Sequence, residues 1–182
     1  KRQEPVELNI MGQMGVGIST QPRSNALCNA GIAPVADMLK NGIKVGLGTD
    51  NGEGNFYENM RYLVLMQMGK NYSKHALTPL QGFQIATEGG AFGLGYTDVG
   101  CLKEGYSADF QILTGNAAIQ LTEKNVVAEV FWRKDPKDIK KVYVNGNLIC
   151  QDGHSVNLDD ERIRKDFSEC VREFWKGQPY QD

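Results

Sequence analysis

Histidine is the scarcest chemistry-bearing residue in this sequence: His75 and His154 are the only two among 182 residues. Neither stands in a His-x-His or His-Glu-x-x-His setting. Catalytic zinc uses about three protein ligands, so the chain is not expected to close a zinc site from its own residues. His75 falls in a Lys/Tyr/Ser-rich connection and His154 follows the Asp152-Gly153 turn, so both read as surface residues. Cysteine is sparse too. Cys28, Cys101, Cys150 and Cys170 lie far apart without a Cys-x-x-Cys pair, and reduced, buried thiols are expected in place of a disulfide framework. No apolar run reaches the length of a membrane-spanning helix and no signal peptide is visible, which makes the cytoplasm the expected compartment.

Charge of one sign is also missing. A net charge of −2 offers nothing to nucleic acid or to an anionic membrane surface. Lys40, Lys44, Lys137, Lys140 and Lys141 are scattered and form no aromatic-interleaved basic stripe. The pairs Gly15-x-Gly17 and Gly46-x-Gly48 are not a complete G-x-G-x-x-G, and no acidic residue follows at the distance a dinucleotide fold needs. The chain also opens at Lys1, in polar sequence that already looks like mid-domain, so a piece of a longer protein is the expectation.

What is present centres on Gly42–Asp50 (Gly-Ile-Lys-Val-Gly-Leu-Gly-Thr-Asp). Val45 and Leu47 alternate with small residues over a short apolar run, the pattern of a buried strand. Gly46 and Gly48 leave space for another backbone to come close. The run ends in Thr49 and Asp50, with a turn expected at Asn51-Gly52. A lone aspartate after a strand is commonly a turn residue, but a carboxylate at the C-terminal end of a parallel strand also sits where barrel enzymes place catalytic groups.

Around this strand the pattern predicts a helix over Pro5–Met14, a strand over Gly15–Thr20, a loop over Gln21–Asn25 and a helix over Ile32–Asn41. Strand, loop, helix and strand within about 35 residues make a βαβ unit and imply parallel strands. Phe56–Gly69 reads as a helix whose methionines fill core space. Thr78-Pro79 starts another helix, with Thr78 as N-cap and Pro79 in the first position, running to about Leu94. Its Gly89-Gly90 and Gly93 suggest close packing on a neighbour. Beyond Gly95–Gly105 the pattern turns to short β segments, over Ala108–Thr114, Val126–Arg133, Ile139–Asn145 and Leu148–Gln151, with Asn145-Gly146 as a hairpin turn. A last helix is expected from about Leu158 to Trp175, capped by Asn157, with Ile163, Phe167, Cys170, Val171 and Phe174 on one apolar stripe.

Four stretches in this order carry a resemblance. They are Pro22-Arg23-Ser24-Asn25 with Gly31-Ile32-Ala33-Pro34-Val35; Gly46-Leu47-Gly48-Thr49-Asp50; Thr78-Pro79 through Ala86-Thr87-Glu88-Gly89-Gly90-Ala91 and Leu94-Gly95; and Gly100–Asp109 with Val142–Gly146 and Asp152-Gly153. Together they resemble the C-terminal part of the amidohydrolase superfamily, in its cytosine-deaminase-like and chlorohydrolase-like branch. The resemblance implies an α/β fold comprising the last two βα units of a (β/α)8 barrel, part of a small β-sandwich and a C-terminal helix. The expected division is 1–97 for the barrel segment, 98–157 for the sandwich segment and 158–182 for the helix and tail.

For function, the resemblance implies a metal-dependent hydrolase that deaminates a heterocycle or amide, a small-molecule substrate. Asp50 then corresponds to a ligand of a divalent metal, zinc foremost and iron the alternative, and to the shuttle for the proton of the attacking water. Ser24 and Asn25 would lie at the barrel mouth, contacting substrate, holding loops or simply packing. The paired histidines after strand one, the ligands from strands five and six and the acid–base glutamate of such a site would all precede Lys1, and Gln21 stands before Pro22 where relatives often carry Cys or Asn after a His. The chain alone is therefore expected to be inactive, to need the N-terminal half of the barrel as its partner, and to form homo-oligomers through exposed edges. The rival reading is a non-catalytic binding or assembly module that keeps the scaffold. A nucleotide-binding domain, with phosphate at the Gly46–Gly48 turn, is a third.

Overall fold

The computed structural model describes residues 5–51, 54–115 and 118–177. Gly52, half of the expected Asn51-Gly52 turn, lies outside them. The first part runs α1 (Pro5–Gln13), β1 (Gly17–Thr20), α2 (Pro22–Leu27), α3 (Val35–Lys40), β2 (Lys44–Leu47) and α4 (Phe56–Asn71). Then come α5 (Pro79–Gln84), a wide π-type turn (Ile85–Gly89) and α6 (Gly90–Gly93), helical throughout. The second part comprises β3 (Phe110–Leu113), α7 (Val126–Arg133), a 3-10 turn (Pro136–Asp138), β4 (Ile139–Val144), β5 (Asn147–Gln151), β6 (His154–Ser155) and α8 (Asp160–Trp175).

β1 and β2 pair in parallel, Gly17 opposite Lys44 through Thr20 opposite Leu47. This is the βαβ unit that the alternating small and apolar residues predict. Its helical layer comes unusually close, and glycine is the reason. A Cβ on Gly46 would stand 2.8 Å from the Gly90 Cα, and one on Gly89 would overlap the Val45 carbonyl oxygen. Any side chain at these positions would push the helix off the sheet, as Gly89-Gly90 suggests from sequence. The core between sheet and helices contains Val35, Met38, Ile43, Val45, Met60, Leu63, Val64, Leu77 and Ile85, and Phe131 of α7 joins it with no exposed surface.

Several expectations need correction. Gln21–Asn25 is not a loop: Pro22 opens α2, where its missing N–H costs nothing and its fixed φ suits the first turn. Helix α3 begins only at Val35, because Pro34 holds the N-cap position and keeps Ala33 from helical geometry. Val126–Arg133 is a helix and not a strand. Its apolar residues at 126, 127, 130 and 131 follow helical spacing, and Glu129 and Arg133 pair one turn apart at 3.0 Å. Asp159, not Asn157, caps α8, its side chain accepting from the Arg162 N–H. All four cysteines are free, but none is buried: Cys28 and Cys170 are exposed and the other two half-buried.

Other local expectations hold. Thr78 and Gln81 form a reciprocal capping box ahead of Pro79. Asn145 and Gly146 both take positive φ, 48° and 75°, in the turn between antiparallel β4 and β5. β3, β4, β5 and β6 form one antiparallel sheet in that order. The sheet is tied to the first part by Tyr57, whose hydroxyl donates to Gln111 Oε1 at 2.8 Å, and α7 is tied to that same part by Arg61. The Arg61 guanidinium donates to the Phe131 and Lys134 carbonyls and pairs with Asp135 at 3.0 Å. Among the described residues no helix is long and apolar enough to cross a membrane.

Candidate active site

The C-terminal ends of two neighbouring parallel strands must open on the same side, so the residues that follow β1 and β2 are forced together. Pairing continues one step past β2, where the Gly48 N–H donates to the Thr20 carbonyl at 2.9 Å. The chain then turns at Asp50, which adopts φ 52°, a left-handed conformation that aspartate tolerates better than most residues. That turn carries the exposed Asp50 carboxylate back over the end of β1. There the Ser24 hydroxyl, buried in the first turns of α2, donates to Asp50 Oδ2 at 2.6 Å. A charge-assisted bond of this length fixes the carboxylate's orientation.

Two of the three residues singled out from sequence, Ser24 and Asp50, are thus in direct contact. Asn25 is placed differently. Its N–H donates to the Gln21 carbonyl and its own carbonyl accepts from Ala30. Beside it lies a crevice of about 10 Å³ lined also by Thr20, Leu63 and Gln67, room for little more than one water.

One residue of this neighbourhood gave no signal in the sequence. Asn59 of α4 is 2% exposed, donates from Nδ2 to the Gly48 carbonyl at 2.6 Å and accepts at Oδ1 from the Arg23 N–H at 3.3 Å. Two turns on, Gln67 does the same for the segment before α3, donating to the Ala33 carbonyl and accepting from the Ala36 N–H. Arg23 also approaches Glu58 at 3.9 Å. The displaced titrations lie elsewhere. Burial, and then the Asp138 and Asp135 charges, push the Tyr57 hydroxyl above its ordinary value. The Asp138 carboxyl is held below the usual range chiefly by its hydrogen bond with the Asp135 backbone.

Among the described residues no three His, Cys, Asp or Glu side chains gather where they could hold a metal ion. Asp50 offers one carboxylate where a catalytic metal needs about three protein ligands. The chain's own donors therefore do not fit a self-contained metal centre.

Known proteins share the fold of this parallel βαβ unit followed by an antiparallel sheet. The model of the Amidohydrolase family matches residues 3–149, and the chain belongs to that family. It is 34% identical over 167 residues to a 5-methylthioadenosine/S-adenosylhomocysteine deaminase of Shouchella clausii, covering 90% of this chain and 38% of the relative. A 5'-deoxyadenosine deaminase of Methanopyrus kandleri is 28% identical over 171 residues, 92% of this chain and 40% of that protein. The fold is shared with the crystal structure of an adenosine deaminase of Xanthomonas campestris with bound zinc, at TM-score 0.86 and 17% identity over 94% of this chain and 40% of that one. Atrazine chlorohydrolase of Arthrobacter aurescens, solved with zinc, aligns at TM-score 0.80 and 22% identity, over 93% of this chain and 39% of that one. The chain thus spans about two fifths of the length of these relatives.

Proposed function

We propose that this chain is the C-terminal part of a hydrolytic deaminase acting on the purine ring of an adenosine-type nucleoside, with Asp50 as its share of the active site. The observation that carries the reading is the Ser24–Asp50 bond of 2.6 Å at the ends of β1 and β2. It presents a fixed carboxylate where barrel enzymes do their chemistry. The sequence kinship to nucleoside deaminases supports the substrate class.

In this reading β1 and β2 are the last two strands of a (β/α)8 barrel. The division into 1–97, 98–157 and 158–182 follows, with 98–157 contributing to a small β-sandwich. A groove of about 310 Å³ is lined by Ile43, by Lys44 and Val45 of β2, and by Gln84, Ile85 and Phe92. Among the described residues β2 pairs with β1 alone, which leaves its other edge open to the further strand that this reading requires. The metal, zinc foremost, would take Asp50 as one ligand and draw the rest from outside this chain; when bound it would make water acidic enough to attack at neutral pH. Asp50 accepts a proton from the attacking water and delivers it to the departing amino group. The ring carbon exchanges nitrogen for oxygen and ammonia leaves. Ser24 holds the carboxylate through both transfers, and Asn25, beside it in α2, closes the first turn of that helix through its N–H to the Gln21 carbonyl.

The test is to co-produce this chain with the N-terminal three fifths of the Shouchella clausii relative, add zinc and follow ammonia release from adenosine-type nucleosides. Deamination by the pair and none by either chain alone is expected. Asp50→Asn should lower the rate about 10²–10⁴-fold, the range of a lost general base. An Asp50→Asn pair as fast as the parent would sink the assignment.

A second reading, a non-catalytic assembly module, is favoured by one feature: every residue of α8 from Glu161 to Trp175 is exposed, its apolar stripe included. A pair that assembles and binds zinc yet deaminates nothing would select it.

A further inference from the structure

Hydrogen bonds from a buried side chain to two backbone segments hold those segments at one separation. Asn59 does this at the strand ends. Its amide reaches the Gly48 carbonyl, two residues before Asp50, and the Arg23 N–H, adjacent to Ser24. The two halves of the Ser24–Asp50 contact are therefore each fixed, within two residues, to the same side chain. A neutral amide serves both and a carboxylate cannot, because one segment presents an acceptor and the other a donor. Asn59 is 2% and Ser24 4% exposed, so water does not replace either Asn59 bond readily. Asn59 also stands one turn beyond the α4 N-cap, where Asn55 accepts from the Glu58 N–H, so its own backbone is anchored.

We propose that Asn59 is a positioning residue for Asp50: by setting the distance between the start of α2, after β1, and the turn after β2, it brings the Ser24 hydroxyl onto Asp50 Oδ2. The proposal rests on the reading of Asp50 as the working carboxylate, but its geometry belongs to this chain alone. Asn59→Asp keeps size and shape and an acceptor for Arg23, and when ionised turns an acceptor towards the Gly48 carbonyl. Ser24, tethered through Arg23, then no longer meets Asp50 squarely.

The measurement is NMR of the isotopically labelled chain by itself, which needs neither metal nor partner. In Asn59→Asp the Ser24 signals and the Asp50 carboxyl carbon should shift, while those of the Asn145–Gly146 hairpin stay. A folded Asn59→Asp chain with unmoved Ser24 and Asp50 signals would overturn the proposal. Should that variant not fold, Ser24→Ala reads the same linkage in reverse. The Asn59 side-chain NH2 should then shift and exchange faster with solvent, and an unchanged NH2 overturns the proposal as firmly.

In the two-chain enzyme, Asn59→Asp should lower kcat by up to ~10²-fold, the penalty of a misplaced group, with KM and zinc content unaltered. A kcat equal to the parent's would overturn the proposal. If the unmutated pair does not deaminate at all, the proposed function fails, whereas the NMR of the single chain still decides the role of Asn59.

Discussion

Two helices of this chain have the same length and opposite fates. α4 and α8 are both 16 residues long. α8 has the clearer pattern, with Ile163, Phe167, Cys170, Val171 and Phe174 on one stripe and charge elsewhere, yet none of its residues is buried. α4 has almost no amphipathic pattern and buries six residues: Tyr57, Asn59, Met60, Leu63, Val64 and Gln67. Two of those six are amides, and both are consumed by backbone groups in the segments after β2 and before α3 and in the first turns of α2 and α3. A helix that packs against loops must carry polar groups inward, because loop backbone arrives with unpaired donors and acceptors. Its periodicity is blurred for that reason. A sharp apolar stripe records only that one face needs covering. It does not say that the cover belongs to the same chain.

The largest effect should come from exchanging truncations between the two helices. Leu63, 1% exposed, should cost about 2–5 kcal/mol as Leu63→Ala, the range of a buried leucine deletion. Phe167, 68% exposed, should stay within about 0.5 kcal/mol as Phe167→Ala, like other surface changes. Urea unfolding of dilute protein measures both. The contrast breaks if Phe167→Ala costs as much as Leu63→Ala, since α8 would then be covered in solution by another copy. Sedimentation over a concentration series sharpens it: self-association of the chain, which we propose, should weaken in Phe167→Glu and not in Leu63→Val.

The same contrast explains how much could be read in advance. Backbone rules that act over a few residues were legible: Thr78-Pro79 as a helix start, Asn145-Gly146 as a turn, and Gly89-Gly90 as close packing on a neighbouring element. Each residue there has few other uses. The parallel pairing of β1 and β2, and Asp50 at their ends, followed from the order strand, loop, helix, strand ahead of Asp50. Failures arose where two periods compete over a short stretch. Val126–Arg133 is rich in β-branched and aromatic residues, and eight residues are too few for composition to be outweighed by spacing unless the Glu129–Arg133 pair is noticed. Pro22-Arg23-Ser24-Asn25 has the composition of a turn, and only its place after a strand makes it a helix start. Asn59 could not be found at all. A helical asparagine is ordinary until its two backbone partners, 36 and 11 residues away, are known.

Smaller in effect are the two caps. Thr78 begins α5, whose following glycines lie on the sheet, so loss of its cap is felt by the whole fold. Thr78→Ala should lower global stability by about 1 kcal/mol. Asp159→Ala removes the bond to the Arg162 N–H, but α8 buries nothing. It should fray the helix, visible as lost far-ultraviolet ellipticity and faster amide exchange over 160–165, with the urea midpoint unmoved. Equal shifts in midpoint would mean that α8 is coupled to the core after all.

The smallest effect concerns pH. Tyr57 anchors the first turn of α4 to the antiparallel sheet through Gln111, and α8 contains no tyrosine. Burial, with the Asp138 and Asp135 charges behind it, raises the Tyr57 pKa above the ordinary value of 10.0. A group whose folded pKa is raised stabilises the fold fully below its unfolded pKa, and that stabilisation fades as pH climbs through the folded value. Between neutral pH and about 9 the Tyr57 contribution should therefore be flat, then decline above about 10 as the unfolded state gives up its proton first. Tyr57→Phe removes this part of the alkaline decline. It should also lower stability near neutrality by about 1 kcal/mol, because the Gln111 amide oxygen loses its donor. Urea midpoints of both proteins from pH 7 to 11 measure the two effects together, and the curves should converge as the pH rises. Parallel curves would show that Tyr57 ionises as freely in the fold as in the open chain, and that the join between α4 and the sheet is wetter than its burial indicates.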